Sequence, residues 1–238
     1  MSSARSHSVA MLDAKDAYAR WAPSYDETPN PLTALEERII APVLAEFAGR
    51  DIVDLGCGTG RWLRRLQRIA PRSLVGVDAS PAMLAEAGSK CLLSTSLIEA
   101  ECTSTPLPAG SADCVLASFL LSYVRDIGRF AAEVARIARC GGTVIVSDLH
   151  PATPSYGWRR TFRAGGDLFE IATFPYTLTA LISAMATAGL VLNELSEPSF
   201  GEEEAKIFRL NAMADSFDRV MFLPVIYSAR FSRAILER

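Results

Sequence analysis

The stretch "DIVDLGCGTGRWLRRL", residues 51 to 66, limits the fold more than any other part of the chain. A short apolar run is followed by glycines at 56, 58 and 60, and then by a basic amphipathic segment. The pattern predicts a strand that turns sharply into a helix, because glycine tolerates positive φ and lets a ligand approach the backbone closely. The spacing is GxGxG. A pyrophosphate-binding GxGxxG loop would require a small residue at 61, where the chain has Arg61. About twenty residues on, Asp78 closes the next apolar run, where a carboxylate can accept both hydroxyls of a nucleoside ribose.

Strand-like and helix-like runs alternate through this region: 52 to 57, a helix from 61 to 70, 73 to 78, a helix from Pro81, 96 to 100, 114 to 119, a helix from 126 to 139, and 143 to 149. Continuous apolar strands separated by helices imply a parallel sheet covered on both faces, and right-handed crossovers make it doubly wound. The expected class is α/β. After His150 the rhythm breaks into prolines, aromatics and Gly165-Gly166, which predicts an inserted loop and hairpin over 151–176. A helix from Thr177, a strand near 190, a helix with Ile207, Leu210, Ala214, Phe217 and Met221 on one side, and a strand from 224 to 231 complete the reading. One domain over 1–238 is expected, with cover helices in 1–45, a ligand-binding core in 46–150, the insertion, and a carboxyl-terminal part with lid elements in 177–238.

The chain's 238 residues, half of them apolar, allow one sizeable core. A net charge of -3 provides no global attraction to nucleic acid or to anionic membrane surfaces, so neither is an expected partner. Five cysteines, 57, 91, 102, 114 and 140, form no CxxC pair and read as reduced thiols in a cytoplasmic protein. The uncharged stretch Ile171 to Asn193 is long enough to span a bilayer, but Leu178, Leu181, Ile182 and Met185 recur at helical spacing between a Thr177 cap and Gly189. It is read as a buried helix leading into a strand.

"VDLGCGTG" (53–60), "VGVDASPAML" (75–84), "ECTSTPLPAGSADCVLAS" (101–118) and "EVARIARCGGTVIVSD" (133–148), in that order, resemble the class I S-adenosylmethionine-dependent methyltransferases of the small-molecule branch. The resemblance implies a mostly parallel seven-stranded sheet with an antiparallel last strand, S-adenosylmethionine as cofactor and no metal. It also places residues. Asp54, Gly56, Cys57, Gly58 and Gly60 would form the turn beneath the methionine and ribose, with Asp78 on the ribose and Ala79 and Met83 flanking the adenine. Glu101, where the family has Asp, would receive the adenine amino group, and the Cys102 backbone would meet a ring nitrogen. Ser118 and Leu120 would lie near the methionine part, and "YARWAPSYDE" would bring Tyr18, Trp21 and Tyr25 over the cofactor.

For proton transfer, His150 directly after the fifth strand is the first candidate and Tyr123 the second, each weighed against a purely local packing role. Tyr156 is weighed in the same way. Arg61, Arg64, Arg65 and Arg68, weighed against polyanion binding, are read as a solvated helix face, and Arg159, Arg160 and Arg163, weighed against contact with an acidic substrate, as arginines on an exposed hairpin. The expected activity is methyl transfer to an O, N or C atom of a small-molecule acceptor, by a monomer or homodimer. The rivals are a non-catalytic nucleoside-binding regulator, a nucleic-acid or protein methyltransferase, and, more distantly, a nicotinamide oxidoreductase.

Overall fold

The computed structural model describes residues 9–90, 94–211 and 214–234. Cys91 and His7 lie outside the described residues. The chain opens with a short strand, β1 (Ala10–Leu12), then α1 (Ala14–Trp21) and α2 (Pro31–Leu44). The ladder follows: β2 (Asp51–Leu55), α3 (Arg61–Leu66), β3 (Ser73–Asp78), α4 (Pro81–Lys90), β4 (Thr95–Glu99), β5 (Ala112–Ser118), α5 (Ile127–Ile137) and β6 (Ala138–Leu149). Beyond it lie the hairpin β7 (Thr161–Ala164) and β8 (Asp167–Ile171), then α6 (Leu178–Thr187), β9 (Leu190–Ser196), α7 (Glu202–Leu210), α8 (Ala214–Val220) and β10 (Ile226–Arg233).

Seven strands form one sheet in the order β4-β3-β2-β5-β6-β10-β9. β2 to β6 pair in parallel, whereas β10 runs antiparallel to both β6 and β9. Both faces are covered, as continuous apolar strands require. Along β2 the side chains alternate: Ile52 joins Ile40, Leu44, Trp62 and Leu63 on one face, and Val53 joins Phe130, Val134, Ile137, Leu181 and Met185 on the other. The strand order reverses at β2, so the cleft between the carboxyl ends of β2 and β5 is where a doubly wound sheet receives its ligand.

A second sheet of three strands, β1-β8-β7, stands above that end. β1 lies parallel to β8, Leu12 opposite Ile171, a pairing of distant segments that local patterning does not announce. The single helix expected over Ile207 to Met221 is two helices. α7 buries Glu204, Ala205 and Phe208 and leaves Leu210 78% exposed, so its inward face is displaced from the expected one. A buried acid sets that face: Glu204 accepts from the exposed Arg38 through Nε and Nη2, each at 3.2 Å, and from the Gly201 N–H at 2.7 Å. In α6 the Thr177 hydroxyl accepts from the Ala180 N–H at 3.1 Å, and no described helix is long and apolar enough to cross a membrane.

Candidate active site

β2 ends in a glycine turn whose backbone is strained for any other residue. Gly56 has φ +69, and a Cβ there would come within 2.8 Å of Leu120 Cδ1. Gly58 has φ +53 and open space where its side chain would stand. The turn is tied to β3: the Gly56 and Cys57 N–H groups both donate to the Val77 carbonyl, at 2.7 and 3.0 Å, and Gly60 precedes the first turn of α3. The Cys57 thiol points into the core, because its sulfur would lie 2.9 Å from a Cβ on Gly76; toward the cleft Cys57 offers backbone.

Asp78 sits at the carboxyl end of β3, half-buried. Its Oδ2 accepts from the Gly58 N–H at 2.8 Å and its Oδ1 from the Ser80 N–H at 2.8 Å. Burial raises its pKa, and these backbone donors offset part of that effect. Met83 is buried and Ala79 half-buried on the next turn, while Glu101 lies exposed beyond β4, near enough for its charge to act on Asp78. Cys102 follows with its thiol pushed up to about 12 by burial and by the adjacent Glu101 charge.

Two side chains beside the turn carry buried atoms without hydrogen-bond partners, Asp54 and Arg61. Asp54 is 1% exposed, and neither of its carboxylate oxygens has a hydrogen-bond partner; burial carries its pKa up to about 8. Arg61 attracts it electrostatically, and the Arg61 Nη1 is likewise buried and unpartnered. The solvated-face reading fails for Arg61: its other amino group pairs with Glu36, a fully buried acid of α2, and donates to Ser118 Oγ at 3.0 Å. Glu36 is the hub of this floor. It accepts from Trp62 Nε1 at 3.2 Å, from Ser118 Oγ at 2.6 Å and from Ser147 Oγ. The Ser118 hydroxyl is therefore committed to Glu36, and Leu120 packs against Gly56. Arg64 and Arg68 are exposed, and Arg65 pairs with Glu37, so the solvated reading describes these three better.

Aromatic side chains roof the cleft. Tyr18, Trp21 and Tyr25 cluster, with Tyr25 centred 4.8 Å from Trp21 and 6.0 Å from Tyr18. Burial raises Tyr25 to about 12. The Tyr18 hydroxyl donates to the Tyr123 hydroxyl at 2.9 Å, and Trp21 stacks on Phe162 of β7 at 5.0 Å. Asp26 fastens this cover: it accepts from Thr59 Oγ1 at 3.1 Å and pairs with Lys90 at 3.0 Å.

His150 does not present a free nitrogen to the cleft. Its Nδ1 accepts from the Ala152 N–H at 3.1 Å, which leaves the proton on Nε2, and Nε2 donates to Glu197 at 2.8 Å. With both nitrogens engaged, the imidazole shapes its own loop and is no base in this arrangement. Tyr123, its pKa raised by burial, holds its proton at neutral pH and is suited to donate a hydrogen bond. Tyr156 ends a half-buried turn over Thr153–Tyr156.

Sequence reasoning missed Glu36, Arg61 and Arg160. The last is no exposed hairpin arginine: its Nη2 donates to the buried Asp148 at 2.6 Å, whereas Arg159 is largely exposed and pairs with Glu170. Strand alternation supplied the signal, since 160 and 162 share the inward side and 159 and 163 the outward one.

A doubly wound sheet, an acid held beside a glycine turn and a hub of buried charge meet at one end of this α/β protein. Residues 53–146 match the family model described as a methyltransferase domain. The demethylmenaquinone methyltransferase of Tropheryma whipplei is 29% identical over 151 residues, covering 61% of this chain and 63% of that protein. The ubiquinone biosynthesis O-methyltransferase of Rhodopseudomonas palustris is 32% identical over 106 residues, covering 44% and 41%. An S-adenosylmethionine-dependent methyltransferase structure from Mesorhizobium loti superposes with a TM-score of 0.68 at 22% identity, covering 86% of this chain and all of that one. Residues 53–146 thus resemble a methyltransferase domain, and the fold is the one seen in that S-adenosylmethionine-dependent methyltransferase structure. The chain matches less than two thirds of the length of these two curated relatives.

Proposed function

We propose that the chain transfers a methyl group from S-adenosylmethionine to a nucleophilic O, N or C atom of a small molecule. The observation that carries this reading is the pair of unpartnered groups beside the glycine turn, the Asp54 carboxyl and Arg61 Nη1. An amino-acid end brings an ammonium for the first and a carboxylate for the second, and a bare nucleotide brings neither. Gly58, with nothing in the space a side chain would fill, leaves room over the turn. Asp78 keeps lone pairs for ribose hydroxyls while its backbone donors hold it in place, and Glu101 stands where an adenine amino group would be met.

When bound, S-adenosylmethionine supplies an activated methyl on a sulfonium. The protein's work is then positional. Glu36 fixes Arg61, Trp62 and Ser118; Tyr25 and Trp21 close the cleft against water; and a nucleophile held in line at contact distance completes the geometry. One relative is named a demethylmenaquinone methyltransferase and another a ubiquinone biosynthesis O-methyltransferase, which agrees with an aromatic-walled acceptor space. We place the acceptor between the roof and the floor, and the cofactor beneath Tyr25.

The test is thermal unfolding with S-adenosylmethionine, S-adenosylhomocysteine and NAD. A nucleoside at a hundred times its Kd adds about 2.7 kcal/mol of stability. Stabilisation by the two sulfur nucleosides, abolished in Asp78→Ala, is the expected result, followed by label transfer from methyl-labelled cofactor to an acceptor panel. Stabilisation by NAD alone would overturn the proposal.

A further inference from the structure

Arg160 enters the roof from the inserted hairpin, outside the segment that matches the family model. Its backbone carbonyl accepts from the Ile171 N–H at 2.8 Å, which continues the β7–β8 ladder by one residue and turns this side chain inward. The guanidinium lies 5.4 Å from the Phe119 ring centre and 5.6 Å from that of Tyr123. Its Nη2 is held by Asp148, but its Nε is sealed from solvent and has no partner.

Asp148 leaves that nitrogen nothing to do. The carboxylate accepts from Arg160 Nη2, the Leu149 N–H at 2.7 Å and the Ser122 N–H at 2.7 Å, and not from Nε. Around the guanidinium stand Tyr18, Tyr25 and Tyr123, all charge-coupled to it, and Tyr25 is also coupled to Arg61 on the floor. Arg160 is thus one tyrosine away from the cofactor cleft. Phe119, at the carboxyl end of β5, takes φ +49, a left-handed conformation that costs a non-glycine residue about 1–3 kcal/mol, and its ring forms the platform beneath Arg160. Tyr123 accepts from Tyr18 and so retains its own O–H to donate.

The geometry points to an oxyanion seat: Arg160 Nε–H and Tyr123 O–H hold the ionised oxygen of a planar, conjugated acceptor bearing an acidic hydroxyl, a phenol or an enol. The assignment rests on the methyl-transfer reading above. The hydroxyl proton leaves to water as the acceptor binds. The oxygen then forms the bond to the methyl carbon, the carbon–sulfur bond breaks with its electron pair going to sulfur, and the sulfonium becomes a neutral thioether. Arg160 and Asp148 form a neutral pair, so the seat recognises the anion through its two donors and the aromatic walls, with no net charge of its own. A buried hydrogen bond to a charged group is worth roughly tenfold or more in affinity.

The experiment is equilibrium dialysis of 4-nitrophenol, above the pH at which it ionises, against its methyl ether 4-nitroanisole, with S-adenosylhomocysteine present. The wild-type chain is expected to prefer the phenolate by about tenfold. Arg160→Lys keeps a cation for Asp148 and removes the Nε donor; it should cut the preference severalfold while retaining the full thermal shift with S-adenosylhomocysteine. Tyr123→Phe should reduce the preference severalfold. No preference in the wild type, or one that Arg160→Lys leaves undiminished, overturns the seat and leaves the cofactor reading standing. A wild-type chain that gains no stability from S-adenosylhomocysteine overturns both.

Discussion

Asp54 carries a cost that can be measured without any substrate. Its pKa in the folded chain is raised from 3.8 to about 8, first by burial and then by the charges of Glu36 and Asp78, with Arg61 opposing. The folded state therefore holds a proton that the unfolded chain releases between those two values. Stability from this group is fully present below the unfolded pKa, falls by about 1.4 kcal/mol per pH unit through the window, and is flat above about 8. Asp54→Asn removes the titration while nearly preserving shape. Between pH 5.5 and 7.5 the variant should gain roughly 2.7 kcal/mol on the wild type, read as the change in the difference between their urea-unfolding free energies without ligand. The same variant should lose most of the stabilisation given by S-adenosylhomocysteine, because asparagine cannot ionise to meet the ammonium that the proposed cofactor would bring. A stability difference that does not change with pH would refute the assignment of a buried, proton-holding carboxyl to this position.

Other perturbations separate floor, loop and core. Glu36→Ala leaves Arg61 buried without its partner and should cost about 3–5 kcal/mol in urea unfolding, with weaker nucleoside binding in the same titration. His150→Ala should lower stability by about 1 kcal/mol and leave the pH profile of methyl transfer in place, since its ring is engaged by Ala152 and Glu197; loss of the acid limb of that profile would restore it as the base. Phe130, fully buried between α5 and the sheet, should cost about 3–5 kcal/mol as alanine, measured by urea unfolding.

The ladder of strands was legible because its signals are local: apolar runs, glycine at a turn, and helical spacing between them. The glycine turn and Asp78 share that property, being a spacing within thirty residues. Glu36 was not legible. It lies on a helix remote in sequence from β5 and β6, and only folding brings Ser118 and Ser147 to it. Arg61 was misjudged because the helical period places it among basic neighbours, although only it stands at the first turn beside Asp54. In the hairpin, composition outweighed alternation: three arginines read as solvated when the period of two already set Arg160 apart. β1 carries three residues and no pattern of its own; its pairing with β8 arises from long-range geometry.

That pairing has a kinetic meaning. The chain's first described strand and the inserted hairpin form one sheet, sealed where the Ala172 N–H donates to the Leu12 carbonyl at 2.8 Å and where Trp21 stacks on Phe162. The cover is therefore one sheet drawn from two distant stretches of chain. On the placement proposed above for cofactor and acceptor, admitting or releasing either molecule would displace the same sheet, so departure of the spent cofactor and departure of the product would become one opening event. Hydrogen exchange should report it: the Ala172 amide and those of the β7–β8 ladder should slow together when S-adenosylhomocysteine is added, as one cooperative unit. Amides that slow independently would mean two doors in place of one.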